Sequence, residues 1–315
     1  MTKEELRIIY MGTPDFAVGP LKTLIDNKFN IVAVITGPDR PQGRGRKVIP
    51  SPVKQFAVEH NIPVLQPEKL KNPEFIEELK SYNADLQIVV AFRMLPEIVW
   101  DMPKYGTFNL HAALLPQYRG AAPINWAVIN GETKTGVTTF FLDKDIDTGK
   151  VILQKEVDIL DSDNCGTIHD KLMEVGQELV KETVEKLLAD DLQPIPQEKL
   201  ITDGMVLKNA PKIFKEDCRL DFTKDAVSLR NLVRGLSPYP TAFTTIKVKD
   251  KELSLKIFEC ETEICDVTDT PGTLKTDNKT FLKISCKNGY LKLTDIQIEG
   301  KKRMKISDFL NGFKF

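Results

Sequence analysis

The hydrophobic pattern changes character near residue 205. Before it, short and almost wholly apolar runs at 6–11, 31–35, 63–65 and 86–92 alternate with segments at 15–28, 51–60 and 73–82 whose apolar residues recur at helical spacing. A strand apolar on both sides has no solvated face, and such strands alternating with helices build a parallel sheet covered on both faces. This predicts a Rossmann-like α/β domain with a mostly parallel sheet. Residues 151–160 read as a further strand and 166–189 as a long amphipathic helix, with Ile168, Leu172, Val175 and Leu179 at its turns. His169 lies on that helix and reads as a surface or packing residue. Residues 190–205, with Pro194 and Pro196 and no sustained period, read as a linker. Beyond them a helical piece at 226–236 precedes β runs at 242–248, 253–259, 272–275, 281–286 and 290–297. That texture predicts a small β-barrel or sandwich such as an OB-fold. The expected organisation is a catalytic domain over 1–189, a linker over 190–205 and a C-terminal β domain over 206–315.

Candidate chemistry concentrates in residues 106–149. On a strand over 107–111, Asn109 and His111 are two apart and share a face. A second strand at 137–142 runs into Asp143, Asp145 and Asp147 before Thr148-Gly149 turns the chain. A carboxylate at a strand end can reach the imidazole and fix it. An amide, an imidazole and a carboxylate with no Ser or Cys nucleophile among them suit direct transfer of an acyl group to an amine. The amide donates to the oxygen that becomes negative, the imidazole takes the amine proton, and Asp147 favours the charged ring. Taken alone, Asn109-x-His111 reads more readily as a buried polar contact, and only the whole stretch favours the catalytic reading.

The first apolar run ends at a single glycine, Gly12, so the GxGxxG dinucleotide fingerprint is missing and NAD is not implied. The connection over 37–50 is far longer than a strand-to-helix turn needs, and it sets Arg40, Arg44, Arg46 and Lys47 against one acid, Asp39. It reads either as a loop that closes on a phosphate backbone or as a solvated insertion.

Composition adds little until it is divided. At 315 residues and 41% hydrophobic content, the chain has room for two cores, and its net charge is −1. Residues 1–204 carry 23 Lys+Arg against 30 Asp+Glu (−7), and residues 205–315 carry 21 against 15 (+6). Lys249, Lys251, Lys256, Lys283, Lys287, Lys292, Lys301, Lys302 and Arg303 spread across the β runs. A basic small barrel is either a nucleic-acid binder or a sheet with defended edges. The five cysteines have no CxxC spacing and only three histidines accompany them, so reduced structural thiols and no metal site are expected. With no signal-peptide core and no apolar run of membrane-spanning length, a cytoplasmic chain is expected; a monomer is the default expectation for it.

Longer motifs run through the same stretch. Asn109-x-His111 leads into Leu114-Leu115-Pro116-x-Tyr118-Arg119-Gly120-x-Ala122-Pro123-Ile124-Asn125, then Gly131-Glu132, Thr135-Gly136-Val137-Thr138 and Asp147-Thr148-Gly149. With Met11-Gly12-Thr13-Pro14-Asp15-Phe16-Ala17, Pro38-Asp39-Arg40-Pro41-x-Gly43-Arg44-Gly45 and Arg234-Gly235-Leu236-Ser237-Pro238-Tyr239-Pro240, the whole chain resembles the 10-formyltetrahydrofolate-dependent formyltransferases. The resemblance is strongest to the branch that formylates the amino group of methionine-charged initiator tRNA. It implies 10-formyltetrahydrofolate as formyl donor, no metal, initiator methionyl-tRNA as partner and no membrane. Asn109, His111 and Asp147 match the catalytic trio. Ala113, Leu114, Leu115 and Pro116, with Val89, Val90, Ala91 and Phe92, fall at the folate site. Arg40, Arg44, Arg46 and Lys47 fall in the loop aimed at the tRNA acceptor end, and the C-terminal barrel falls where relatives grip tRNA. The alternative is a formyltransferase acting on a small amine, such as an amino-sugar nucleotide or glycinamide ribonucleotide. Two departures stand out: Ala113 replaces a usual Ser, and Ala91-Phe92-Arg93-Met94-Leu95-Pro96 is one residue shorter than the usual Ala-Tyr-Gly-x-x-Leu-Pro run and lacks its Gly.

Overall fold

The computed structural model describes residues 1–42, 47–248 and 251–312. The first half alternates as its pattern requires. Strand β1 (Arg7–Gly12) is followed by α1 (Val18–Asp26), β2 (Asn30–Ile35), α2 (Pro52–Glu59), β3 (Val64–Leu65), α3 (Pro73–Ser81), β4 (Leu86–Val90), α4 (Glu97–Trp100) and β5 (Thr107–His111). After α5 (Pro123–Ile129) come β6 (Lys134–Phe141), β7 (Val151–Asp158) and the long α6 (Cys165–Leu188). Seven strands form one sheet in the order β7-β6-β5-β4-β1-β2-β3. The pairs from β5 through β4, β1 and β2 to β3 are parallel, while β6 runs antiparallel to β5. All five residues of β4 are buried, which is why that stretch carries no polar alternation. Ile9, Met11, Ala33, Ile35 and Val89 pack on Ile76 and Leu79 of α3.

Helix starts follow from capping. Ser51 Oγ accepts from the Lys54 N–H and Asn72 Oδ1 from the Glu74 N–H, each followed by proline at the first helical position. The sheet is ended by backbone geometry as well as sequence: β4 stops at Val90 because Ala91 turns into the left-handed region at φ 48°.

The chain divides into two compact units. One comprises residues 1–120, 136–157 and 169–208; the other comprises 121–135, 158–168 and 209–315. Residues 190–205, expected as a linker, fold into the first unit, which extends to Lys208. Ile195 exchanges both backbone hydrogen bonds with Val151, at 2.8 and 2.9 Å, and Gln197 is fully buried. Residues 121–135 and 158–168 in turn join the C-terminal unit. Trp126 Nε1 donates to Pro211 O (2.8 Å), Asn125 Nδ2 donates to Gly235 O (2.7 Å), and the Arg230 guanidinium pairs with the Asp161 carboxylate at 2.6 and 2.8 Å.

The second unit contains α7 (Ala226–Leu236), β8 (Ala242–Val248), β9 (Lys251–Ile264), β10 (Leu274–Thr276), β11 (Leu282–Cys286), β12 (Gly289–Ile298), β13 (Met304–Lys305) and α8 (Ile306–Gly312). The strands make a curled antiparallel half-barrel in the order β8-β9-β12-β11-β10, with β13 beside β12. Leu229, Val233 and Leu236 of α7 bury against Leu255, Ile257 and Leu293. The lysine-rich strands carry cross-strand pairs: Lys283 with Glu263 (2.6 Å), Lys292 with Glu261 (3.2 Å) and Lys305 with Glu259 (2.7 Å), while Arg303 binds Asp295 (2.9 Å). Part of the expected basic face is therefore neutralised within the unit. Lys256, Lys287, Lys301 and Lys302 remain exposed; Lys249 lies outside the described residues. Among the described residues, no helix is long and apolar enough to cross a membrane, and no three His, Cys, Asp or Glu are grouped to hold a metal ion.

Candidate active site

The site is built at the end of β5. Asn109 pairs in register with Val89 of β4 on one side and Phe140 of β6 on the other, and His111 lies two residues on, opposite Thr138. The imidazole is 6% exposed, with the Phe140 ring edge-on at 6.3 Å between centroids. His111 Nε2 sits 2.9 Å from the Tyr118 carbonyl oxygen. A carbonyl only accepts, so this nitrogen carries the hydrogen, and the lone pair of the neutral ring belongs to Nδ1. Asp147 Oδ2 lies 3.9 Å from that Nδ1 and is itself only 13% exposed. Burial pushes the His111 pKa below its ordinary value, while the Asp147 carboxylate and the Tyr118 carbonyl act in the opposite direction. The ring is thus a base that is neutral when at rest and whose proton, once taken, faces a carboxylate.

Asp147 owes its position to the turn after β6. It adopts φ 55°, and its Oδ2 accepts from the Gly120 N–H at 2.9 Å. Two residues on, only glycine fits: a Cβ at Gly149 would lie 1.7 Å from the Phe141 carbonyl oxygen. Asp143 and Asp145, the other acids of this segment, are exposed.

The loop after His111 is braced from beneath. Thr138 Oγ1 donates to Ala113 O (2.6 Å) and accepts from the Leu115 N–H (3.2 Å), and Gln154 Nε2 donates to both Leu115 O and Thr138 Oγ1. Leu115 packs on Phe140 and Val151, and the Leu115-Pro116 bond is cis. Ala113 is fully buried, so a serine hydroxyl there would need an added partner. The Tyr118 N–H donates to Lys208 O at 2.6 Å, so the 190–208 segment also supports the loop that presents the Tyr118 carbonyl to His111.

Of the residues assigned to the folate site, Val89, Val90, Ala113, Leu115 and Pro116 are buried, Leu114 and Phe92 are half-buried, and Ala91 is exposed. The unusual Arg93 is an anchor. It donates from Nη1 to Glu68 O at 2.7 Å and from Nη2 to Pro67 O, stacks by Phe92, and is held below the usual arginine pKa by burial. An open cleft of about 550 Å³ is lined by Leu65, Gln66, Pro67, Glu68 and Phe75. It contains none of Asn109, His111 and Asp147.

In the basic loop, Arg40–Gln42 pairs antiparallel with Lys47–Ile49, and Arg40 is exposed. Arg44 and Arg46 lie outside the described residues. The base of the loop is tied down by Gln66, whose Nε2 donates to Gly37 O (2.8 Å) and Asp39 Oδ1 (2.7 Å). Sequence reading missed Gln197, Gln154 and the Tyr118 carbonyl as contributors. None carries a periodic signal: Gln197 and Gln154 reach across to other segments of the chain, and Tyr118, seven residues from His111, acts through a carbonyl that every residue type shares.

Among the described residues, four buried side-chain polar atoms have no partner, Gln87 Nε2, Arg93 Nε, Thr135 Oγ1 and Asn109 Oδ1, and the last of these lies on the strand that carries His111. An orphaned amide beside a paired His and Asp, at the carboxyl end of a parallel sheet, is a place for a ligand. Fold and site together define a formyl-transferring enzyme, and the chain belongs to the formyl transferase family, matching its Formyl transferase domain over residues 6–184 and the Formyl transferase C-terminal domain over 212–314. Among curated proteins it is 56% identical to the methionyl-tRNA formyltransferase of Parabacteroides distasonis over 100% of this chain and 98% of that one. It is 54% identical to the methionyl-tRNA formyltransferase of Bacteroides thetaiotaomicron, with the same coverage. Solved structures share the fold at lower identity. HypX from Aquifex aeolicus in complex with tetrahydrofolic acid gives a TM-score of 0.62 at 21% identity, covering 98% of this chain and 48% of that one. The Helicobacter canadensis N-formyltransferase in complex with folinic acid and dTDP-3-aminofucose gives 0.66 at 20% identity, covering 93% and 98%.

Proposed function

We propose that this protein transfers the formyl group of 10-formyltetrahydrofolate to the free amino group of methionine carried on initiator tRNA. Full-length similarity to methionyl-tRNA formyltransferases supports the substrate. The observation that carries the chemistry is the approach of Asp147 Oδ2 to within 3.9 Å of the basic nitrogen of His111. In this reading 10-formyltetrahydrofolate supplies an electrophilic formyl carbon. His111 Nδ1 takes the proton that the methionine amine sheds as it bonds to that carbon, and Asp147 stabilises the resulting imidazolium. The Asn109 amide N–H donates to the formyl oxygen as it turns negative, a kind of contact whose loss costs about 10²–10³ in rate. The C–N bond to the donor then breaks, and the donor nitrogen leaves with a proton. Val89, Val90, Ala91 and Phe92 form one wall of the donor site and Ala113, Leu114, Leu115 and Pro116 the other. The unpartnered Asn109 Oδ1 is a buried acceptor that suits a donor group of the bound folate.

Arg40, Arg44, Arg46 and Lys47 engage the acceptor end of the tRNA, and the exposed lysines of the half-barrel hold phosphates, which position the substrate rather than read its sequence. The reaction belongs in the cytoplasm, where charged initiator tRNA is made and used. A single assay tests the assignment: labelled 10-formyltetrahydrofolate is offered with methionyl initiator tRNA, glycinamide ribonucleotide or an amino-sugar nucleotide. Label should enter the tRNA-bound methionine; label in either small amine instead, with none in the tRNA, refutes it.

A further inference from the structure

We propose that Gln197 is a positioning residue that sets the Asp147 carboxylate against His111 by clamping the 147–149 turn to Arg119. The inference rests on the catalytic reading of Asp147 and His111 given above. Gln197 is 0% exposed and sits where a 3₁₀ turn (Gln197–Leu200) opens after Pro196, in a segment whose sequence looks like an unstructured connector. Its amide is filled at both ends. Nε2 donates to Asp147 O and to Gly149 O, both at 2.8 Å. Oε1 accepts from Arg119 Nε at 3.0 Å and Nη2 at 2.7 Å. A carboxamide has two N–H donors and two acceptor lone pairs, so all four capacities are used, and no other side chain of this size offers that pattern.

The clamp acts on a strained point. Asp147 adopts φ 55°, a region that L residues other than glycine seldom enter, and such a conformation persists only where its surroundings fix it. The Gln197 bonds straddle that residue, holding the carbonyls of Asp147 itself and of Gly149. On the far side, the residue after Arg119 supplies the N–H that Asp147 Oδ2 accepts at 2.9 Å. The turn and the Arg119-Gly120 segment are therefore tied twice, by Gln197 between them and by the carboxylate directly. Gln197 is in turn fixed by the Ile195–Val151 backbone pair and by Leu200 packing against Leu115, Phe140 and Val151. The groups facing the His111 ring are the Asp147 carboxylate, the Tyr118 carbonyl and the Phe140 edge; of these the turn governs only the carboxylate.

The test uses the full-length chain with Gln197→Glu and Gln197→Met, alone and combined with Asp147→Asn. Glu keeps the acceptor for Arg119 but cannot donate to the two carbonyls; Met keeps the shape and neither bond. The first readout needs no substrate: the NMR titration of the His111 ring. The carboxylate raises the affinity of that ring for a proton, so a displaced Asp147 should lower the pKa of His111 toward its value in Asp147→Asn. The second readout is kcat for formyl transfer, expected to fall roughly 10- to 100-fold, the size of effect of a misplaced catalytic group. KM for tRNA should stay within about twofold. In the Asp147→Asn background neither substitution should lower kcat further. An unchanged His111 titration in a folded variant overturns the clamp, as do additive losses in the double variants. Loss of folding in both variants also overturns it, because Gln197 is then a structural residue. If the titration moves while no formyl transfer to methionyl-tRNA is found, the clamp stands and the substrate assignment fails.

Discussion

His111 and Asp147 make the most direct prediction. Burial depresses the His111 pKa, and a base must be neutral to accept a proton, so kcat/KM should hold as pH falls through the ordinary histidine value of 6.5 and decline only below it. Asp147→Asn removes the group that raises that pKa, so its acid limb should shift to still lower pH while kcat drops. A pH–rate profile whose acid limb moves upward in the variant contradicts the assignment. His111→Ala should lose about 10²–10⁴ in kcat with tRNA binding retained. These side chains were legible in the sequence because two residues apart on a strand share a face and because acids at a strand end gather at the same edge. Arg93 was not. Its partners are the carbonyls of Pro67 and Glu68, and a carbonyl contact leaves no trace in residue identity.

The regular elements were readable nearly to their ends, since capping and period are local. Ser51-Pro52 announced α2, and the structure adds a second duty: Ser51 Oγ lies 2.7 Å from the buried Thr36 hydroxyl. Ser51→Ala removes the cap and leaves that hydroxyl unpaired, so urea unfolding should show a loss of about 1–3 kcal/mol; a loss under about 0.5 kcal/mol rejects the dual role. Strand β9 runs from Lys251 to Ile264, longer than its apolar stretch, because β12 supplies hydrogen-bond partners for a polar extension through Glu261, Thr262 and Glu263. Helices α4 and α8 lack sufficient length for a period to show.

The division of the whole chain was the least legible feature. A composition break near residue 205 marks where the β texture starts, but compact units follow contacts, and 121–135 with 158–168 group with residues after 208. A chain ending at Lys208 would lose the acceptors of the Trp126 and Asn125 donors and the covering of α5. It should therefore melt well below the intact protein and bind a hydrophobic dye, where a boundary at 205 predicts a clean, stable fragment. A sharp, unshifted thermal transition for that fragment would favour the composition boundary.

Period and turn chemistry, written residue by residue, determined the strands, most of the helices, the parallel sheet, and the identity of an amide, an imidazole and an acid at its edge. Only tertiary structure decided which ring nitrogen is basic, how far Asp147 stands from it, and that Gln197 from a pattern-free segment holds the turn between them. Local order is set by neighbours in the chain. Catalytic geometry depends on hydrogen bonds to backbone carbonyls far along it, and every residue type presents the same carbonyl.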